Sequence, residues 1–209
     1  VVVNNAGYGQ YGFLEELSET EARAQLDTNL FGPLWITQAA LPYLRSQHSG
    51  HIIQVSSIGG VTAFASLGIY HASKWALEGM SQALAKEVAP FGVRVTIVEP
   101  GGYDTDWIGS APYAEPMAAY AAQRAEFEGA RAERRSDLGD PGAARPAILE
   151  IVDADDPPLR VFLGKDALGW ARAEYSQRLA EWERWQPLAV RAHGTRRDRH
   201  DWLVGAPGK

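Results

Sequence analysis

Three short runs too apolar to have a wet face punctuate the first half of this chain, and each stops at small or polar residues. Val1-Val2-Val3 runs into Asn4-Asn5-Ala6-Gly7, Ile52-Ile53-Gln54-Val55 into Ser56-Ser57, and Val93 to Val98 into Glu99-Pro100-Gly101-Gly102. Runs of this length and β-branched content read as strands buried on both faces. The intervening segments carry helical spacing. Ser18-Glu19-Thr20-Glu21 has the form of a capping box, and Leu26, Leu30, Leu34, Ala40, Leu41 and Leu44 extend one predicted helix over roughly 19–47. A second predicted helix runs from about Tyr70 to Ala89, where Pro90-Phe91-Gly92 stops it. Strand and helix in alternation predict an α/β fold: a doubly wound parallel sheet with helices on both faces. Ligands of such sheets bind outside the carboxyl ends of the strands, so the three clusters should gather around one crevice.

From Asp104 to about Gly139 the chain turns Ala-, Glu- and Arg-rich, with Pro112 and Pro116, and predicts a helical insertion over that crevice. A helix over 141–153, a strand Leu159–Leu163 and a last helix from Asp166 to about Gln186 complete the pattern. On the last helix Leu168, Ala171, Tyr175, Leu179 and Trp182 form a stripe suited to sheet packing or a subunit contact. At 209 residues and 45% hydrophobic, one domain over 1–190 with a polar tail over 191–209 is expected. A net charge of −6 argues against nucleic acid, and Arg196, Arg197 and Arg199 read as part of a solvated tail. The absence of cysteine excludes disulfides and thiolate metal sites and fits a cytoplasmic location, and the five histidines show no ligand spacing, so no metal is assigned. No apolar run approaches the ~18 residues that a membrane helix needs.

The chemistry-bearing residues cluster where the strands end. Tyr70 and Lys74 stand four residues apart, on one face of one helix, where an ammonium can stabilise a phenolate. Ser57 lies thirteen residues earlier at the end of its strand. Ser56 is its rival, and because adjacent strand residues point to opposite sides, the spacing to Tyr70 decides for Ser57. Asn29, mid-helix in Asp27-Thr28-Asn29-Leu30, is a poor helix former that marks a bend or a function. His71, beside Tyr70, is expected to point off the catalytic face. The bland alternative is a core tyrosine with Lys74 snorkelling past it.

Asn-Asn-Ala-Gly at 4–7, Asn29, Ser57, Tyr-x-x-x-Lys at 70–74 and Pro-Gly-x-x-x-Thr at 100–105 together resemble, in order and spacing, the motif series of the short-chain dehydrogenase/reductase family. The match is close over residues 1–107. The resemblance implies a Rossmann-like fold, NAD(P) as cofactor and a small-molecule alcohol or carbonyl substrate. It implies that Tyr70 is the general acid/base, that Lys74 lowers its pKa and holds the nicotinamide ribose, that Ser57 holds the substrate oxygen and that Asn29 anchors a proton relay. It sets Asn5, Ala6 and Gly7 against the adenosine half of the cofactor and Pro100, Gly101 and Thr105 against the nicotinamide half. A homodimer or homotetramer is implied for the complete protein, pairing the two long helices; Trp75, Leu77, Met80 and Leu84 are expected to be exposed for that purpose.

The family's Gly-rich turn and first strands have no counterpart ahead of Val1, so the chain is expected to be a fragment whose first strand forms an open edge, and which alone is unstable or aggregation-prone and shows no detectable NAD(P)H binding. The expected function is carbonyl/alcohol oxidoreduction. The alternatives are a non-catalytic nucleotide-sensing or scaffold protein on the same fold, and an inert fragment.

Overall fold

The computed structural model describes residues 1–133 and 137–194. Four strands, β1 (Val2–Asn4), β2 (Gly50–Val55), β3 (Val93–Pro100) and β4 (Arg160–Leu163), form one parallel sheet in the order β1-β2-β3-β4. Val3 pairs with Ile53, Ile53 with Thr96, and Val98 with Val161, so all carboxyl ends point the same way. Parallel neighbours need crossovers, and helices supply them. Neighbouring residues of β2 show the two covered faces. Ile52 packs with Leu44, Leu84 and Val88 from the helices α2 (Gly32–Gln47) and α3 (Gly68–Val88), whereas Ile53 packs with Ile151 of α6 (Pro141–Asp153). The predicted Rossmann-like sheet with helices on both faces is thus present, with β1 at its edge and Val3 48% exposed.

The single helix predicted over 19–47 is broken. The first piece, α1 (Glu19–Leu26), opens with the expected capping box, Ser18 Oγ accepting from Glu21 N and the Glu21 carboxylate from Ser18 N. A wide π turn over Asp27–Phe31 follows before α2 begins. Pro33 has no N–H to continue the helical ladder, and Asn29 inside the turn is buried with its side chain bonded away from its own helix. A second correction concerns α3. Leu77 and Leu84, expected to be exposed, are buried in the core, because the face of α3 that meets the sheet includes them.

The insertion contains α4 (Trp107–Ser110) and α5 (Ala121–Glu133). The last helix, α7 (Ala167–His193), runs beyond its predicted end. The chain forms two compact units: Val1–Ala171, which holds the sheet, and the segment from Arg172 onward, whose described part is the remainder of α7. The Arg196, Arg197 and Arg199 stretch and most of the predicted tail lie outside the described residues. Among the described residues no helix is long and apolar enough to cross a membrane.

Candidate active site

Backbone geometry at the end of β2 delivers the first group. Ser56 N still donates to Val98 O of β3 at 2.8 Å, and the chain then turns tightly through Ile58–Gly60. Ser57 caps that turn by accepting from Gly59 N at 3.0 Å, and its hydroxyl acts on the Tyr70 phenol of α3. Lys74, one turn further along α3, donates to Val55 O at 2.8 Å and stands 6.0 Å from the centre of the Tyr70 ring. Ser57, Tyr70 and Lys74 line one cavity of about 760 Å³ at the carboxyl ends of the strands.

The electrostatics of this corner are those of a dry site. Burial pushes Tyr70 up to about 12, against the pull of the Ser57 hydrogen bond. Lys74 is pushed down to about 8 by burial, opposed by the charge of Glu78. Burial therefore dominates the balance at Tyr70 and favours the neutral phenol. Further positive charge against the phenol would be needed to reverse it.

The other expected site residues divide into two groups. Asn5, Gly7, Pro100, Gly101 and Thr105 line the same cavity, while Ala6 and Asn29 are not among its lining residues. Asn29 lies just behind the wall. It accepts from Tyr8 N at 3.1 Å and donates to Tyr8 O and Ser73 Oγ at 2.9 and 3.1 Å, which ties the loop after β1 to α3. His71 does not point idly away. Its Nε2 accepts from Phe64 N at 2.9 Å, so Nδ1 carries the proton and donates to Gly59 O at 2.8 Å, holding the turn that presents Ser57. Burial lowers its pKa, in keeping with this neutral form.

The crevice fits a dinucleotide on two counts. A Cβ on Gly7 would stand 3.2 Å from Asn29 Oδ1 and 3.5 Å from Lys74 Nζ, so only glycine leaves the floor open at that point. Lys74 has three N–H donors, and Val55 O accepts from one of them, leaving donors for the hydroxyls of a ribose.

A family model described as short chain dehydrogenase matches residues 1–115. The chain belongs to the short-chain dehydrogenase family. The oxidoreductase BOA17 of Botryotinia fuckeliana is 37% identical over 198 residues, covering 91% of this chain and 70% of that protein. Among solved structures, a short-chain dehydrogenase from Streptomyces avermitilis superposes with a TM-score of 0.81 at 38% identity, over 91% of this chain and 70% of the other. A short-chain dehydrogenase from Burkholderia cenocepacia in complex with NADP does so with a TM-score of 0.65 at 29% identity, over 87% and 66%. The chain spans between 52% and 70% of the length of the first three curated relatives it matches.

Several lining residues of this short-chain dehydrogenase carry no motif: Tyr11, Phe64, Leu67, Trp107, Phe127 and Trp170. Tyr11 stacks on Tyr113 with centroids 4.8 Å apart, and Trp107 meets the Tyr70 ring edge-on at 5.3 Å. Arg131 lies 4.7 Å over the Tyr11 ring and donates to Tyr113 Oη at 2.7 Å. The aromatic wall thus reaches the phenol itself. Its sequence signal was the density of rings in 103–113, which did not say which rings face inward.

Proposed function

We propose that this site interconverts an alcohol and its carbonyl with NAD(P) as cofactor and Tyr70 as general acid/base. The observation that carries the reading is the shared cavity of Ser57, Tyr70 and Lys74, with the ammonium beside the phenol ring. A nicotinamide cofactor, when bound, supplies the hydride exchange at the substrate carbon. Lys74 would hold its ribose, with Asn5, Gly7, Pro100, Gly101 and Thr105 along its length. The NADP in the Burkholderia relative supports the choice of cofactor class.

In the reducing direction Tyr70 Oη passes its proton to the substrate oxygen, which Ser57 Oγ holds by hydrogen bond, and Lys74 stabilises the phenolate that remains. In the oxidising direction the phenolate takes the alcohol proton back. A phenol pushed up to about 12 is fully protonated at neutral pH and ready as an acid; as a base it depends on Lys74 and on the positive nicotinamide. Asn29 contributes by fixing Tyr8 and Ser73 around this centre and is proposed as the inner end of the relay that returns the proton to solvent.

The substrate is proposed to be bulky and apolar, because Tyr11, Phe64, Trp107, Phe127 and Trp170 line the same cavity. The complete protein is proposed to be a cytoplasmic homodimer or homotetramer, with the exposed Trp35, Ile36 and Tyr43 of α2 as support for the contact. Light scattering tests that. The chemistry is tested by offering the full-length protein a panel of alcohols and ketones with NADH and NADPH while following absorbance of the reduced cofactor. Turnover of bulky apolar ketones is expected; absence of cofactor binding and of turnover across the panel would overturn the reading.

A further inference from the structure

A second polar cluster lies directly beneath the first. One turn beyond Lys74 on α3, Glu78 is buried and accepts from Arg160 Nε of β4 through Oε2 at 3.2 Å. Glu99, near the end of β3 and 1% exposed, brings Oε1 within 3.5 Å of the same nitrogen, and its carboxyl is in hydrogen-bonding range of the Glu78 carboxyl. Ser56, next to the substrate-side serine, completes the cluster from the end of β2. A Cβ on Gly60 would stand 2.7 Å from Ser56 Oγ and 3.2 Å from Glu78 Oε1, so both oxygens occupy one small space roofed by that glycine.

Five buried side-chain oxygen or nitrogen atoms among the described residues have no partner of good geometry, and three of them are Ser56 Oγ, Glu78 Oε1 and Glu99 Oε1. Their clustering has a simple cause. Two carboxylates offer only acceptors to each other, and one guanidinium cannot neutralise both in a place without water. A single added proton resolves the conflict. Glu99 is the better host, being the more deeply buried and the farther from Arg160, and burial together with the Glu78 charge pushes it up to about 8. Protonated Glu99 then donates to Glu78, as the Ser56 hydroxyl and Arg160 can. The charged and titratable groups facing Glu78 are therefore Lys74 on its own helix, Glu99 from β3 and Arg160 from β4, with the Ser56 hydroxyl from β2.

We propose that Glu99 keeps a proton shared with Glu78, and that Glu78, left as the one anion of the pair, is a positioning residue that keeps the Lys74 ammonium charged. The proposal rests on the role assigned above to Lys74. Without Glu78, burial alone would act on Lys74, and its ammonium would be lost at a lower pH.

Three measurements on the full-length protein test this. Infrared spectra at neutral pH should show a protonated-carboxyl stretch in the parent that is missing from Glu99→Gln. Raising the pH from about 5 to 8 should cost the parent stability that Glu99→Gln retains: a carboxyl raised in the folded state from its ordinary 4.5 stabilises below that value and loses the contribution as pH passes its folded value near 8. Neither measurement depends on turnover, so they separate a failure of the carboxyl pair from a failure of the catalytic reading. The third is the alkaline limb of NADPH affinity and of kcat/KM against pH. Glu78→Gln should move it down by about one pH unit, a tenfold change in ammonium population, and Glu78→Asp, which keeps the charge, should restore most of it. Identical infrared spectra for the parent and Glu99→Gln, or an alkaline limb unmoved in Glu78→Gln, would overturn the proposal.

Discussion

The floor of the cavity and its roof are made of opposite materials. The floor comes from the ends of β2 and β3 and from one face of α3, and its polar groups are tied to fixed backbone atoms: Lys74 to Val55 O, His71 to Gly59 O and Phe64 N. The roof, from the segments around Tyr11 and 103–133, is a set of rings: Tyr11 on Tyr113, Trp107 against Tyr11 and Tyr70, Phe127 nearby. Two backbone bonds, Tyr11 N to Pro112 O and Ala114 N to Tyr11 O, hold one part to the other. Directional bonds in a dry interior fix atoms for chemistry, whereas ring packing fills volume and tolerates change. On the proposed reading the floor sets what reaction occurs and the roof which molecule undergoes it.

The sharpest way to break that division is at the floor. Lys74→Met removes the ammonium but keeps an apolar stem of similar length, and kcat/KM should fall by about 10³-fold, with NADPH affinity falling as well. Steady-state kinetics and cofactor fluorescence check both; a loss under tenfold would contradict the assignment. At the roof, Trp107→Ala should lower kcat/KM about 10- to 100-fold for bulky apolar ketones and leave small aliphatic ones nearly unchanged, as expected for a pocket wall. An equal loss for both classes would mean that Trp107 serves the chemistry. A milder test of the roof is Gly9→Ala, whose Cβ would stand 2.4 Å from the Trp107 ring. Displacing the ring should lower stability by about 1–3 kcal/mol in urea titration and change substrate preference in the same direction as Trp107→Ala.

The smallest expected effect concerns pH. His71 is held neutral by accepting from Phe64 N, and burial keeps its pKa below the ordinary 6.5. The unfolded chain then binds more protons, so this contribution is present above pH ~6.5 and lost as pH falls. Thermal melts of the parent and of His71→Asn from pH 7.5 to 5 should therefore diverge, the variant gaining stability relative to the parent as pH falls; buried His51 is lowered in the same way and contributes equally to both.

The same contrast explains what could be seen in the sequence. The parallel sheet, the crevice and the meeting of Ser57, Tyr70 and Lys74 were legible because strand runs ending in small polar residues have few ways to fold, and because residues four apart on a helix share a face. The π turn at Asp27–Phe31 was half visible: Asn29 marked the place, but its bonds to Tyr8 and Ser73 join residues 21 and 44 positions away. Leu77 and Leu84 were misplaced because the spacing of apolar residues does not say which stripe of a two-sided helix meets the sheet. The Glu78 and Glu99 pair left no local mark, since each sits in an ordinary polar position of its own element. Rings such as Phe64 and Phe127 join the site only through tertiary packing.

Tyr70 is proposed as the proton carrier of a nicotinamide-dependent site. Turnover and NADPH affinity of Tyr70→Phe, measured side by side in the full-length protein, test it most directly, because the substitution removes one oxygen and keeps the ring that packs on Trp107. Turnover lower by about 10³-fold or more, with NADPH affinity within a few-fold of the parent, is the expected result. Turnover within tenfold of the parent would contradict the account.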